Sequence, residues 1–403
     1  MKINNIIIAT FLFSGLVSTQ AQEKEFSNIP KDLKINEIQV LGTHNSYSKP
    51  IDPRVLSYAG AAIDKMMPKF MANMPAEKME SFKENHPNDI SFADGLNYEH
   101  PPFPEQLDAG LRNLEIDVFY DPEGGRFTQP AAYEFFKKQG ITDLLPFNSE
   151  DLKKPGFKMM HIADMDFRTH YPTLKQGLED LKKWSDSHPN HIPIFIQVEA
   201  KDSGMPLFPN ATEVLPFTEE AFDALDKEFV DVLGRDKVIT PDDIKGNYNT
   251  LKEAVLNKNW PTVDEARGKF IFLLLPSAGG IDRTSPYTNN RPNLEGRLMF
   301  MRSTEEDDFA AFFLLDNAIK RQEDIKKYVK LGYMVRTRSD IETYEAKIND
   351  YTRANAAFSS GAQVISTDFY KPGNPYKTPY YVQLPGGDVA RCNPINAIDK
   401  CEK

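Results

Sequence analysis

The chain has 403 residues, with 59 aspartates and glutamates against 48 lysines and arginines and a formal net charge of -11. An acidic chain lacks the basic surface of a nucleic-acid-binding protein. It also lacks the general positive charge that attracts a protein to an anionic membrane. The excess of carboxylates does suit a site for a divalent cation. If the first 21 residues are removed, about 380 residues remain, enough for one large domain or two ordinary ones.

The amino terminus has the pattern of a secretory signal. Lys2 precedes an apolar stretch at residues 6–17, and the small residues at 19–21 have the form of a cleavage site. The apolar stretch is too short to span a bilayer comfortably, and no later segment resembles a transmembrane helix. We expect residues 1–21 to be removed and residues 22–403 to form a single domain that is secreted or periplasmic.

The first predicted strand, at residues 38–41, runs into the motif LGTHNSY, which presents His44 and Asn45 where the strand ends at Gly42. In α/β folds, catalytic side chains collect at the carboxyl ends of strands. A methionine-rich helical insertion follows at about 50–105. It either packs over the fold or forms a lid or lipid-facing rim, and we favour packing because Met is a common gap-filler.

The second predicted strand, at residues 111–119, carries two carboxylates on one face. Glu115 and Asp117 are two residues apart, so their side chains point into the same space. In a buried position this arrangement is costly unless a cation binds both. A solvent-facing edge strand is the alternative, but the apolar flanking residues favour the buried, paired site.

Six more strands alternate with helices along the chain. They are predicted at 157–162, at 192–202, at 269–275, at either 297–302 or 310–315, at 332–339 and at 362–369. This alternation predicts an α/β fold, a TIM-type (β/α)₈ barrel, open to distortion, with long insertions on the catalytic face.

Polar residues recur at the predicted strand ends, and in a barrel they all face one mouth. They are His44, Asn45, Glu115, Asp117, His161, Glu199, Lys201, Arg336, Arg338 and Asp368. The oxygen donors Asn45, Glu115, Asp117 and Glu199 favour a hard cation over zinc. Four protein ligands suit Ca²⁺ better than Mg²⁺, which tends to keep several waters.

The remaining polar side chains have the chemistry of phosphodiester cleavage. His44 and His161 are left for proton transfer, one as base and one as acid. A hard cation and arginine would neutralise the charge that builds on the phosphoryl oxygens. Each histidine alone is weak evidence, so the interpretation depends on the ordered set.

The motifs HNSY, LEID, MMHIAD and IQVEAKD, in this order, resemble the calcium-dependent phosphoinositide-specific phospholipases C, and most closely their secreted bacterial branch. The segment YEHPPFPEQLDAGLRNLEIDVF is the most specific, and the resemblance covers most of the mature chain. It implies a TIM-type barrel, and a reaction in which the inositol 2-hydroxyl attacks its own phosphate, giving an inositol cyclic phosphate and diacylglycerol.

The resemblance also implies roles for residues of this chain. Calcium would be held by the four oxygen donors, and His44 and His161 would be the catalytic pair, although the sequence does not divide their roles. Lys201, Arg336 and Arg338 are candidate phosphate or inositol contacts. Asp368 is a candidate for orienting a histidine, with a structural aspartate as the alternative.

Two other functions stay open. A glycerophosphodiester phosphodiesterase shares the barrel, the Glu-x-Asp strand and two histidines, but typically has arginine after its first histidine, where this chain has Asn45. A catalytically inactive barrel that binds lipid headgroups or glycans would be expected to have lost a histidine or a metal ligand. The headgroup and the oligomeric state are not indicated by the sequence.

The carboxyl-terminal tail, at about 372–403, contains both cysteines of the chain. Cys392 and Cys401 are predicted to close a small disulfide loop, since disulfides persist in exported proteins. Neither cysteine has a paired base nearby in the sequence, so neither is a candidate nucleophile.

Overall fold

The structure is a computed structural model that describes residues 29–30, 32–275 and 285–401. The predicted signal segment, residues 1–21, lies outside the described residues. Within the described part of the chain, the strands are β1 (Ile38–Thr43), β2 (Asn113–Phe119), β3 (Lys158–Met159), β4 (Ile194–Lys201), β5 (Phe270–Leu275), β6 (Phe300–Met301), β7 (Phe312–Asn317), β8 (Met334–Arg338), β9 (Val364–Thr367) and β10 (Arg391–Cys392).

Eight of these strands form a parallel barrel in the order β6-β5-β4-β2-β1-β9-β8-β7. The two ends of this path meet at one bridge between Arg302 and Phe312, so the barrel is nearly closed. Strands such as β5, with the sequence FIFLLL, are buried throughout. Such continuous apolar runs are typical of parallel strands covered on both faces. The predicted TIM-type (β/α)₈ barrel is confirmed.

The predicted third barrel strand is wrong. Residues 157–162 contribute only the two-residue β3, which pairs antiparallel with the end of β2 and lies off the barrel path. The chain turns back at once, with an isolated antiparallel bridge between Ile162 and Asp166, so a longer strand cannot form. The barrel still has eight strands because both alternatives for the sixth predicted strand are strands, β6 and β7.

Helices connect and cover the strands. They span Pro53–Ala72, Ala76–Asn85, Phe92–Gly95, Phe103–Asp108, Ala131–Lys138, Ser149–Leu152, Leu174–Ser187, Glu219–Leu233, Pro241–Lys245, Leu251–Leu256, Ser285–Thr288, Gln322–Leu331, Tyr344–Ile348, Thr352–Ser360 and Ile398–Cys401, with 3₁₀ turns at Ile35–Glu37 and Arg235–Lys237. Their starts follow capping rules. Thr173 accepts a hydrogen bond from the backbone N–H of Gln176, whose side chain bonds back to Thr173, which satisfies two N–H groups.

The insertion between β1 and β2 is helical, as predicted from its composition. Its first helix, Pro53–Ala72, begins at Asp52, whose carboxylate accepts from the backbone N–H of Arg54, and Pro68 lies inside this helix rather than ending it. The second helix, Ala76–Asn85, follows directly. The boundaries of the single domain, of the insertion and of the tail stay predictions.

The tail returns to the first strand. β10 pairs antiparallel with β1, with Cys392 opposite Ile38. Cys392 and Cys401 form a disulfide. Among the described residues, no helix has both the length and the apolar character needed to cross a membrane.

Gly42 does not end the first strand, because β1 continues to Thr43. Gly42 instead allows β1 and β2 to approach each other closely, since the two strands pair at Gly42 and Asn113. A Cβ atom at position 42 would lie 1.8 Å from the carbonyl oxygen of Asn113. Only glycine therefore allows the two strands that carry His44 and Glu115 to meet at this spacing.

We expect Gly42→Ala to lower the free energy of unfolding by about 3 kcal/mol, because the clash is with backbone that cannot rotate away. Urea denaturation of the two proteins measures the difference. Gly204→Ala is the control, since its Cβ would meet nothing closer than 3.4 Å. Equal stability of Gly42→Ala and the parent would contradict the close-approach argument.

Candidate active site

Three carboxylates meet at the carboxyl end of the barrel. Glu115 and Asp117 point to one face of β2, and Asp117 lies directly beside Glu199 in the parallel pairing of β2 with β4. One oxygen of each of the three lies within 4.8 Å of the others. We call Glu115, Asp117 and Glu199 the carboxylate cluster. It confirms that the two acids of β2 are buried rather than exposed on an edge strand.

Two cations offset part of the charge of this cluster. Lys201, two residues after Glu199 on the same face of β4, places Nζ 2.9 Å from Asp117 Oδ2 and 2.9 Å from Glu199 Oε2. Arg336 of β8 places a guanidinium nitrogen 2.8 Å from Glu115 Oε2. Both cations come from strands, so the charge balance of the cluster is fixed by the barrel itself.

Burial dominates the titration of the carboxylate cluster. It raises the pKa of Glu115 to about 7, although Arg336 opposes the shift. It raises the pKa of Asp117 to about 6, with Lys201 opposing and Glu199 adding to the rise. Burial works against the charge of Lys201, but Asp117 and Glu199 outweigh it and raise the pKa of the ammonium.

His44 follows β1 and lies between two carboxylates. Its Nδ1 is 3.0 Å from Asp368 Oδ1, at the end of β9, and its Nε2 is 3.7 Å from Glu115 Oε1. Burial, and then the positive charges of Arg338 and Arg336, hold the pKa of His44 well below its usual range. In the tautomer with its hydrogen on Nδ1, the ring donates to Asp368.

His161 reaches the same mouth although it is not on a barrel strand. Its Nδ1 lies 2.8 Å from Asp166 Oδ2, across the turn that brings the chain back after β3. The backbone N–H of His161 donates to the carbonyl of Asp166 at 3.2 Å, which fixes the same turn. Each of the two histidines therefore has its Nδ1 held by a carboxylate, Asp368 for His44 and Asp166 for His161.

The two arginines of β8 face the mouth and contact different acids. Arg336 also pairs with Asp316, at the end of β7. Arg338 places a guanidinium nitrogen 3.4 Å from Asp368 Oδ2. Behind Asp368, the carboxylate of Asp340 accepts from the backbone N–H of Asp368 at 2.7 Å. Burial and the charge of Asp368 raise the pKa of Asp340 to about 7.

Asn45 makes its hydrogen bonds with tyrosines rather than with the carboxylate cluster. Its Nδ2 donates to Tyr98 Oη at 2.6 Å, and its Oδ1 accepts from Tyr47 Oη at 3.3 Å. Its φ of 46° is in the left-handed region, which asparagine tolerates better than most residues. Its membership of a metal site stays a prediction.

The carboxylate cluster fits a hard cation. All its donors are oxygens, which calcium and magnesium prefer. Asp117 Oδ1 is buried and accepts no hydrogen bond from the described residues. A buried carboxylate oxygen without a donor is costly, and a divalent ion would satisfy it.

Several partner residues were not identified from the sequence. Asp316 is the penultimate residue of β7, which was one of two alternatives for a strand. Asp340 lies in the loop after β8. His100 and the pair Asp164 and Asp166 had no predicted role. Of these, His100 donates from Nε2 to the carbonyl of His44 at 2.9 Å, and Asp164 accepts from the backbone N–H of Ala131 at 2.8 Å, a structural contact. The buried strand end before Asp316 was the one available signal.

Comparison with known proteins identifies relatives. A family model described as phosphoinositide phospholipase C, Ca²⁺-dependent, matches residues 33–394. The fold is similar to a calcium-dependent phosphoinositol-specific phospholipase C from Pseudomonas sp., at 16% identity over 90% of this chain and 96% of that one, with a TM-score of 0.48. No curated protein sequence matches the chain.

Two further solved structures are similar to the chain. A Ca²⁺-dependent phosphatidylinositol-specific phospholipase C from Streptomyces antibioticus has 16% identity over 86% of this chain and 98% of that one, with a TM-score of 0.49. The phosphatidylinositol-specific phospholipase C from Listeria monocytogenes has 10% identity over 88% and 96%, with a TM-score of 0.44. The family model, which covers most of the chain, decides the assignment: the chain belongs to the calcium-dependent phosphoinositide phospholipase C family of phosphodiesterases.

Proposed function

We propose that this protein is exported after loss of residues 1–21 and cleaves phosphatidylinositol-type lipids at a membrane surface. The observation that carries the proposal is the meeting of two carboxylate-held histidines, His44 and His161, with the carboxylate cluster and two arginines at one mouth. Paired histidines with a hard cation and arginine are suited to phosphodiester chemistry.

In the proposed reaction, the inositol 2-hydroxyl oxygen bonds to its own phosphorus while the bond from phosphorus to the glycerol oxygen breaks. His44 takes up the 2-hydroxyl proton, and the protonated ring then gives a proton to the departing diacylglycerol oxygen. We assign acid–base work to His44, whose Nδ1 contact with Asp368 leaves Nε2 for the substrate. His161 would then donate to the phosphoryl oxygens, as the family resemblance implies.

Calcium would be held by Glu115, Asp117 and Glu199, with the amide oxygen of Asn45 as the proposed fourth ligand. When bound, the ion supplies positive charge that neutralises the phosphoryl oxygens. The unsatisfied Oδ1 of Asp117 supports this assignment. Arg336 and Arg338 line the same mouth and are proposed to contact the phosphate or inositol, which carry acceptor oxygens that suit guanidinium groups.

Lys201 has two proposed roles, because its ammonium group contacts two of the proposed calcium ligands, Asp117 and Glu199. It contributes charge that a substrate phosphate can use. It also competes with the divalent ion for Asp117 and Glu199, since both cations are attracted to the same oxygens.

Phosphorus NMR of phosphatidylinositol incubated with the purified protein tests the function. We expect a cyclic inositol phosphate with calcium and none once a chelator is added. His44→Ala and His161→Ala should each lower turnover by about a thousandfold with unchanged thermal melting. His188→Ala, at the half-buried end of the helix Leu174–Ser187, is the control. Near-normal turnover in either active-site variant contradicts the two-histidine mechanism.

The same spectra separate the alternatives. Cleavage of glycerophosphodiesters in place of phosphatidylinositol would indicate a glycerophosphodiester phosphodiesterase. Absence of turnover on both substrates, in protein that binds calcium, would indicate an inactive barrel. Product that persists at full rate in the chelator would contradict the calcium assignment.

Lys201→Met should tighten calcium binding by about tenfold, on the order of 1 kcal/mol, because an ammonium no longer competes for two ligands. Its metal-free form should melt at a lower temperature, since the carboxylates lose their counter-charge. Isothermal titration with calcium measures the first effect and calorimetric melting the second. Lys182→Met, which breaks an exposed pair with Asp186, is the control. Weaker calcium binding in Lys201→Met would contradict the competition.

Glu115→Gln should change how the stability of the metal-free protein depends on pH. The pKa of Glu115 rises from 4.5 to about 7 on folding. Its protonated form is therefore favoured by folding, and the stability this confers is full below pH 4.5 and is lost as pH rises through about 7. Relative to the parent, Glu115→Gln should gain about 3 kcal/mol in the free energy of unfolding between about pH 4 and pH 8.

Urea denaturation in a chelator at several pH values measures this difference. Glu228→Gln is the matched control, because burial also raises the pKa of Glu228 to about 7, on the helix Glu219–Leu233. Added calcium should stabilise the parent and Glu228→Gln equally, and Glu115→Gln much less. A stability difference between Glu115→Gln and the parent that does not vary with pH would contradict the burial of this carboxylate.

A further inference from the structure

The two most exposed large apolar side chains of the described residues are neighbours on one helix. Met66 and Phe70 are 61% and 57% exposed, and both lie on the helix Pro53–Ala72. Residues four apart lie on the same helix face. The last buried residue of this helix is Ile63, so its final turns extend beyond the packed body. We call residues 64–74 the hairpin tip.

The two ends of this helical hairpin are attached at the carboxyl end of the barrel, on the side of the active-site mouth. The first helix of the hairpin follows β1. The second, Ala76–Asn85, is fastened to the segments after β7 and β8. Glu84 pairs with Lys320 at 2.8 Å and Arg321 at 3.0 Å, and its carbonyl accepts from Asn317 at 3.1 Å. His86 pairs with Glu342 at 2.5 Å.

The hairpin tip has two lysines and one aspartate, Asp64, so its net charge is positive, unlike that of the whole chain. Lys65 and Lys69 are exposed beside Met66 and Phe70, again four residues apart. Neither lysine has a carboxylate within ion-pair distance among the residues that the structure describes. The chain as a whole carries a net charge of -11. Apolar side chains flanked by unpaired lysines are complementary to an anionic lipid surface, where the lysines meet phosphates and the apolar groups enter the acyl boundary.

We propose that the hairpin tip docks the protein on an anionic phospholipid bilayer by inserting Met66 and Phe70, with Lys65 and Lys69 at the headgroup phosphates. The proposal deepens the proposed function, on which it rests for the lipid substrate. It assigns membrane attachment to a surface separate from the catalytic residues. Because the start of the first helix and the end of the second are attached to the segments after β1, β7 and β8, docking through the tip would bring the mouth side of the barrel to the membrane.

Co-sedimentation with phosphatidylcholine vesicles that contain about 30% phosphatidylserine tests the proposal. These vesicles hold no inositol lipid, so binding is measured whether or not the protein is a phospholipase. We expect the double variant Met66→Ser/Phe70→Ser to lose about tenfold or more in partitioning. Lys65→Gln/Lys69→Gln should lose several-fold on these vesicles and little on pure phosphatidylcholine.

Leu256→Ser/Leu331→Ser is the matched control. These residues are 42% and 39% exposed and lie at the opposite end of the barrel, where the helix Gln322–Leu331 leads into β8. This variant should bind vesicles as the parent does. All variants should melt at the parent temperature, because none of the changed side chains is buried.

A second measurement separates docking from catalysis. Met66→Ser/Phe70→Ser should turn over a monomeric short-chain phosphatidylinositol at the parent rate, and lose about tenfold on vesicles that contain phosphatidylinositol. The docking proposal is overturned if the parent does not sediment with vesicles, if the tip variant binds equally well, or if the control variant loses as much. A parent dimer that the tip variant abolishes, with vesicle binding unchanged, would assign the tip to a second copy instead.

Discussion

The active-site end of this barrel depends on how a buried negative charge is neutralised. Asp117 and Glu199 lie side by side because the parallel pairing of β2 and β4 puts them in register. Burying such carboxylates alone costs several kcal/mol each. Lys201, two residues further along β4, offsets the charge at 2.9 Å from both, and the proposed calcium ion would contact the same oxygens. The counter-charge and two of the proposed ligands thus come from the same strand pair.

Around the carboxylate cluster, positive and negative side chains alternate. Arg336 is held between Glu115 and Asp316, and Arg338 approaches Asp368, which holds His44. The backbone N–H of Asp368 in turn donates a hydrogen bond to the carboxylate of Asp340. Because each side chain has a partner on a different strand, the positions of the histidine and the arginines are coupled to the closure of the barrel. The proposed proton transfer and phosphoryl stabilisation would depend on this preorganisation.

The fold and many of the site's side chains could be predicted because they follow local patterns. The alternation of strands and helices gave the barrel, and polar residues at strand ends gave His44, Glu115, Asp117, Glu199 and Lys201. The prediction of the third strand failed because an apolar run has the same sequence pattern whether it pairs parallel in the barrel or turns back after two residues. Gly42 was misinterpreted for a related reason, since a close approach between strands leaves no sign in one strand's own sequence.

By itself the sequence determined which faces of the strands are polar, because side-chain alternation is a property of each strand alone. It also determined which residue types occur there: oxygen donors that suit a hard cation, and two histidines. Only the tertiary structure decided the partners: Asp166 for His161, Asp316 for Arg336 and Asp340 behind Asp368. It also decided that the end of the helix Pro53–Ala72 projects from the body. Pairing and exposure depend on distances between segments far apart in the chain, and those distances exist only once the barrel has closed.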